Sequence, residues 1–294
     1  MKPKKTAAKK KVAKKKVTKK NISKTKTDNK VQDKFIFGQG LRKYLYEVDA
    51  LGGVLPLCIN VVKETKNTKT TEVLKLLESF GSSDSNNKGH FNIPIEHYQN
   101  FSAKVANVLK YEEASNILPV SFLVSMISQF DAFIVSLIKD MFVVKPELIK
   151  SVKRDYSISE IVGFSNIDEI KDRTIENKIN NILRDSHIDQ IKWIKEKADL
   201  NIVINQNISS NFVEVTERRN LFVHADGIVN AYYLENCEDA NVNFDKKLNI
   251  GDKLHADVKY FLSAIGSLSY MAIILKQIVW RKLIPQEIPM LIQN

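Results

Sequence analysis

Cysteine is scarce in this chain of 294 residues, with Cys58 and Cys237 the only two, far apart and outside any CxxC spacing. That pattern excludes a disulfide scaffold and a zinc site, and leaves buried thiols in a reducing compartment as the expectation. Strand signals are equally sparse. Segments with a 3.6-residue apolar period dominate, so the body is expected to be all-α. The N-terminus lacks acidic and aromatic side chains: residues 1–30 hold 14 lysines against one acidic residue, Asp28, and the first aromatic residue is Phe35. Base stacking is therefore not on offer in that segment.

The lysines make the charge lopsided. The whole chain carries +11 and residues 1–30 carry +13, which leaves −2 for residues 31–294. A lysine-rich segment whose lysines are separated mainly by Ala, Val and Thr cannot bury enough apolar surface to offset its ordering entropy, so residues 1–33 are expected to form a disordered tail. Its composition resembles the lysine-alanine tails of linker histones and bacterial histone-like proteins. Lys4, Lys5, Lys9, Lys10, Lys11, Lys14, Lys15, Lys16, Lys19 and Lys20 are the expected contacts to DNA or RNA, through salt-sensitive counterion release. A solubilising tail and attraction to anionic lipid are the alternatives.

No apolar core and small-residue cleavage pattern follows the N-terminal charge, so no secretory signal is expected. Two apolar stretches need a decision. Residues 117–138 contain Ser125, Gln129 and Asp131, and a charge at the centre of a membrane helix costs about 2.5–3.5 kcal/mol. Residues 260–275 are uncharged but short of a full span. Both read as packed bundle helices, giving a cytoplasmic chain with no membrane span.

Beyond the tail, residues 34–110 read as a helical accessory region. Gly52, Gly53 and Pro56 mark an expected break within residues 35–62, residues 71–80 form a short helix, and residues 81–94 form a mobile loop. Residues 111–294 read as a helical domain. Its first long helix, ending at Val143, presents Phe122, Met126, Phe130, Phe133, Leu137 and Phe142 on one face. Shorter helices are expected at Pro146 and over 158–162, 167–184 and 188–198, then helices over 207–224 and 254–282, with Pro285 and Pro289 as stops. His187 with Asp189, and His255 with Asp257, lie two apart; on a helix such pairs point about 200° apart. They read as surface residues, and neither a metal nor another cofactor is expected. Gly38-Gln39-Gly40 lacks the third glycine of a dinucleotide fingerprint.

The densest chemistry lies in Glu217-Arg218-Arg219-Asn220-Leu221-Phe222-Val223-His224, followed by a helix stop over residues 225–230. Attack of a ribose 2′-hydroxyl on its own phosphodiester needs a proton acceptor, a proton donor and a cation for the charge that develops on phosphorus. Histidine can carry protons at neutral pH. Arginine stays charged, and its planar fork matches two phosphate oxygens. Asn220 and His224 lie about 40° apart on one helix face, which suits Asn220 to orienting the imidazole or touching phosphate. Arg219 and His224 lie about 140° apart, so a site completed by a second helix is favoured. Glu217 and Arg218 read as supports for Arg219, as a pair across a dimer, or as ordinary solvated charges.

The pattern of arginine, polar residue, three further residues and histidine resembles the HEPN superfamily of α-helical ribonucleases. Phe130-Asp131-Ala132-Phe133 is similar to the aromatic-acid-x-aromatic pattern of their first long helix. The resemblance covers roughly residues 111–282. It implies an HEPN-like helical bundle, a homodimer, and a metal-independent endoribonuclease in which Arg219, His224 and Asn220 cut an RNA substrate. By analogy it also implies a setting in antiviral defence, abortive infection or a toxin-like response, with a restraining antitoxin or sensor protein as a further partner. Two other readings stay open: a non-catalytic HEPN-like nucleic-acid-binding or interaction module recruited by the basic tail, and a structural scaffold.

Overall fold

The computed structural model describes residues 24–80, 92–151, 155–199 and 204–284. Every regular element among them is helical: α1 (Lys24–Ser79), α2 (Ile95–Val144), a 3-10 turn (Pro146–Ser151), α3 (Ile158–Val162), α4 (Ile167–Ile182), α5 (His187–Lys197), α6 (Gln206–His224), α7 (Ala231–Asp239) and α8 (Val258–Leu283). The fold is all-α, and the one β-type pairing among the described residues is an isolated bridge between Ile228 and Lys253. The chain divides into two units, residues 1–38 and residues 39–294. In the first, the chain is helical from Lys24, so residues 24–33 of the expected disordered tail are helix; no glycine or proline interrupts them. The ten lysines expected to meet nucleic acid, Lys4 to Lys20, lie outside the described residues, as do most of the loop expected over 81–94 and the stops Pro285 and Pro289.

Side-chain polarity explains where the shorter helices begin. Ser157 and Glu160 form a capping box at α3, and the Asn166 side chain accepts from the backbone N–H groups of Asp168 and Glu169 at α4. Ser186, Asn230 and Asp257 cap α5, α7 and α8 in the same way. Each satisfies donors that a helix start leaves without an intrahelical partner.

The core lies where the second half of α2 meets α6 and α8. Leu123, Ile127, Ile134 and Ile138 of α2, Phe212 of α6, and Phe261, Leu268 and Ala272 of α8 are fully buried. Within this apolar contact Lys276 Nζ donates to Asp140 Oδ2 at 2.8 Å, with side chains only 4% and 5% exposed. Burying either charge alone would be costly, so the pair ties α8 to α2 at one register.

The segment expected to break at Gly52, Gly53 and Pro56 is instead one helix, with Pro56 inside it. Proline removes one donor and crowds the carbonyl four residues back; that residue is Gly52, which has no side chain. A Cβ at Gly52 would press on Ile265, and one at Gly40 would collide with Ser136, so these glycines serve close helix approach. Within the second unit α1 runs antiparallel to α2. Tyr44 packs on Phe130 and Phe133, Lys66 pairs with Glu112 at 3.1 Å, and Phe80 stacks on His97. Past Ile59 on α1 and before Pro119 on α2 no described residue is buried. Half-buried positions there recur at Val62, Lys66, Lys69, Val73, Leu76 and Phe80 and, opposite, at Phe101, Lys104, Val108, Tyr111, Ser115 and Leu118. Alternating steps of three and four residues are the 3.5-residue seam of a two-stranded coiled coil. Residues 34–110 thus supply all of one strand of a helical arm and the first part of the other, and the expected boundary at 110/111 falls inside α2.

One expectation is overturned. Three helical segments, Gln39–Ser79, Ile95–Val144 and Val258–Leu283, are long and apolar enough, by length and composition, to cross a membrane. The expectation of no membrane span rejected residues 117–138 for the charge of Asp131, took residues 260–275 as too short, and did not weigh residues 39–79 as a span. The last helix runs past that length: α8 has 26 residues, which at about 1.5 Å per residue exceeds a hydrocarbon core of about 30 Å.

The buried ion pair gives a direct test of the core. Lys276→Met leaves Asp140 without its main counter-charge and is expected to lower unfolding free energy by about 3–5 kcal/mol, whereas Asp140→Leu combined with Lys276→Met recovers most of the loss. Denaturant unfolding of the parent and the two variants measures both changes.

Candidate functional site around Arg219

Helix α6 starts at the Asn205 cap and runs without interruption to His224. Its end is held from outside. Gly227 N–H and Ala225 N–H both donate to Leu221 O, at 3.0 and 2.8 Å, and Leu254 N–H donates to Gly227 O at 2.8 Å. Gly227 has φ +75°, and a Cβ there would lie 3.0 Å from Leu254 O and from the Phe222 ring. Only glycine suits that position. Leu221, Val229, Tyr233, Cys237 and Leu254 close a small core beneath the turn. Both the helix stop and the following turn agree with the sequence reading; α7, which packs on α6, was not anticipated.

Arg219 is half-buried and clamped. Its Nη2 donates to Asp131 Oδ2 at 3.3 Å and its Nη1 to Asn220 Oδ1 at 3.1 Å, while Nε is buried with no hydrogen-bond partner among the described residues. Asn220 therefore holds the arginine; among the described residues no hydrogen bond joins it to the imidazole it was expected to orient. His224 is exposed at the last turn of α6 and has no described hydrogen bond or ion pair. Five residues along a helix separate the two groups by about 7.5 Å of rise and about 140° of rotation. The structure thus brings Arg219 and Asn220 together, and leaves His224 facing solvent.

Asp131 carries a second partner that sequence reasoning placed on the surface. His187 Nε2 lies 2.8 Å from Asp131 Oδ1, and the His187 side chain is only 11% exposed, between the rings of Phe130 and Phe212. His187 is the first residue of α5, directly after the Ser186 cap. Asp189, its supposed companion, turns the other way: its N–H donates to Ser186 Oγ, and its carboxylate accepts from Ser186 and Lys192. These hydrogen bonds, Ser186 first, hold the Asp189 carboxyl below the usual range. The 200° separation that argued against a shared metal also sends one side chain inward and the other outward.

Arg218 is half-buried and paired within the chain, which departs from the solvated charge that was one of its three readings. Arg218 Nε donates to Glu214 Oε1 at 2.6 Å, Nη1 donates to His255 O, and the guanidinium lies over the Tyr260 ring at 4.2 Å. Glu214 also accepts from the Tyr233 and Tyr260 hydroxyls, each at 2.8 Å. This carboxylate, one turn before Arg218, links α6 to α7 and α8. Burial first, and then the negative charge of Glu214, push the Tyr233 hydroxyl above its ordinary range and the Cys237 thiol up to about 12. A thiol so far from ionising is inert at neutral pH. The signal for Glu214 in the sequence was its four-residue spacing to Arg218; nothing local pointed to the tyrosines or to His187.

Chemically the site offers a planar cation whose position is set by Asp131 and Asn220 and, about 140° around the same helix, a solvent-facing imidazole. Among the described residues no group of His, Cys, Asp and Glu is arranged to hold a metal ion. No family model matches the chain, and neither a curated protein nor a solved structure is similar to it at a significant level.

Glu214→Gln keeps the shape of the second cluster and removes its charge. It is expected to destabilise the protein by about 3 kcal/mol, because Arg218 stays half-buried without its counter-ion. Loosening α7 also exposes the Cys237 thiol. Pulsed alkylation with mass spectrometry should find Cys237 protected in the parent and modified in the variant.

Proposed function

We propose that the chain is a metal-independent endoribonuclease of HEPN type, acting as a homodimer on RNA. The observation that carries this reading is the state of the two groups on α6: an arginine immobilised by two acceptors, and five residues on an exposed histidine with no partner among the described residues.

In the reaction a substrate 2′-oxygen attacks phosphorus as its proton is taken by an imidazole, the P–O5′ bond breaks, and the departing 5′-oxygen receives a proton. The products are a 2′,3′-cyclic phosphate and a 5′-hydroxyl. Arg219 offers its fork to the non-bridging oxygens as charge gathers on them. His224 transfers a proton, and Asn220 keeps the guanidinium from rotating. The 140° between Arg219 and His224 leaves one chain short of a second imidazole, which a two-fold copy of α6 supplies in the same cleft. The N-terminal lysines concentrate the enzyme on polyanions. A role in antiviral defence or a toxin-like response, with a partner protein that restrains cleavage, belongs to this reading by analogy.

The test is cleavage of a mixed RNA pool in EDTA by the parent, Arg219→Ala and His224→Ala at matched folding and dimer content. Each substitution is expected to reduce kcat by about a hundredfold or more, and parental products should carry 2′,3′-cyclic ends. Cleavage that survives both substitutions removes this site from the reaction. Removal of residues 1–23 separates the enzyme from a tail-recruited binding module. The enzyme keeps its kcat at low salt and loses apparent affinity and salt sensitivity, whereas the module loses most of its RNA association and never cuts.

A further inference from the structure

We infer that His187 is a positioning residue for Arg219, acting through the Asp131 carboxylate; its bearing on catalysis rests on the ribonuclease reading. The geometry is that of one carboxylate held from two sides. A carboxylate only accepts, so the 2.8 Å contact has His187 Nε2 donating to Oδ1 while Arg219 Nη2 takes Oδ2 at 3.3 Å. Asp131 of α2 meets both α5 and α6 through its two oxygens, so its χ2 angle bears on where the guanidinium sits. Without a donor on Oδ1 the carboxylate can turn about that bond, which is soft for a terminal sp³–sp² torsion. Arg219 would then keep only the Asn220 contact.

The surroundings leave His187 little else to do. Phe130 of α2 and Phe212 of α6 flank its ring. The charged groups reaching it are Asp131 from α2 and, across that carboxylate, Arg219 from α6. On its own helix Asp189 is occupied by Ser186 and Lys192. An aromatic residue would fill this space as well as histidine does, so the imidazole's donor is the property the site uses. Ser186 adds precision: by capping α5 it fixes the backbone from which His187 projects, so three helices converge on one acceptor.

Two substitutions separate donor from packing. His187→Phe keeps a ring between Phe130 and Phe212 and removes the donor; His187→Gln places an amide N–H where Nε2 lies. The first readout is the guanidinium ¹⁵N spectrum of the full-length protein, with Arg219 identified by its loss in Arg219→Lys. In the parent and in His187→Gln the two Nη resonances of Arg219 are expected to be distinct, as for a clamped fork; in His187→Phe they should merge as rotation about Cζ–Nε becomes fast. The second readout is RNA cleavage, where His187→Phe should lower kcat by about tenfold to a hundredfold with KM changed less than about threefold, and His187→Gln should restore most of it. Arg219 resonances in His187→Phe that match the parent overturn the proposal. If the resonances respond as expected while the parent cuts no RNA, the positioning role stands and the ribonuclease reading falls.

Discussion

A charge removed from water must be paired where it is buried, and this bundle is organised by two buried carboxylates that meet that constraint, Asp140 and Glu214, and by a third, Asp131, whose side chain is 31% exposed. Asp140 takes Lys276 and joins α2 to α8. Glu214 takes Arg218 and two tyrosine hydroxyls and joins α6 to α7 and α8. Asp131 takes His187 and Arg219 and joins α2 to α5 and α6. Apolar packing tolerates sliding and repacking, whereas an unpaired buried ion costs several kcal/mol, so each carboxylate selects one register from many of similar hydrophobic energy. The helix carrying the candidate site is thereby fixed at two of its turns by groups from four other helices.

Arg218 and Arg219 show how one helix divides labour between neighbours. Adjacent residues point about 100° apart. Arg218 falls toward Glu214 and the Tyr260 ring, in a place where its charge is wholly spent on structure. Arg219 falls toward α2, where one contact is a shared carboxylate and another is the amide next to it. Its Nε has no partner among the described residues, so the fold leaves one of its donors unused there. Lysine at 219 could satisfy Asp131 but offers no second planar donor for Asn220 or for a phosphate oxygen.

What could be read from the sequence was local. The apolar period gave the helical class and most of the boundaries from Pro146 to His224, and Gly227 announced the end of α6. Asp131 stood in an aromatic frame before its partners were known, and Glu214 stood one turn from Arg218. The rest depended on distant pairing. His187 lies 56 residues from Asp131 and Tyr260 lies 46 from Glu214, and no period or cap encodes such a meeting. Gly52, Gly53 and Pro56 misled for a related reason: their effect on a lone helix is to break it, but a glycine four residues before a proline removes the side chain from the crowded turn, and packing of α1 on α2 and α8 repays the lost hydrogen bond.

The same long-range packing changes the meaning of hydropathy here. In α2 most apolar residues from Leu123 onward are buried, while on α1 Val54, Leu57 and Val61 remain exposed around the buried Leu55 and Ile59. A helix that packs on one face only, yet is apolar on two, has a composition that neither a solvated arm nor a soluble bundle requires. The coiled-coil seam from Val62 to Phe80 includes lysine among its half-buried positions, and the arm carries exposed apolar side chains of its own at Leu74 and Leu109. Val54, Leu57 and Val61 follow one another at three- and four-residue steps on one exposed face of α1, near Gly52, which lets α1 approach Ile265 of α8.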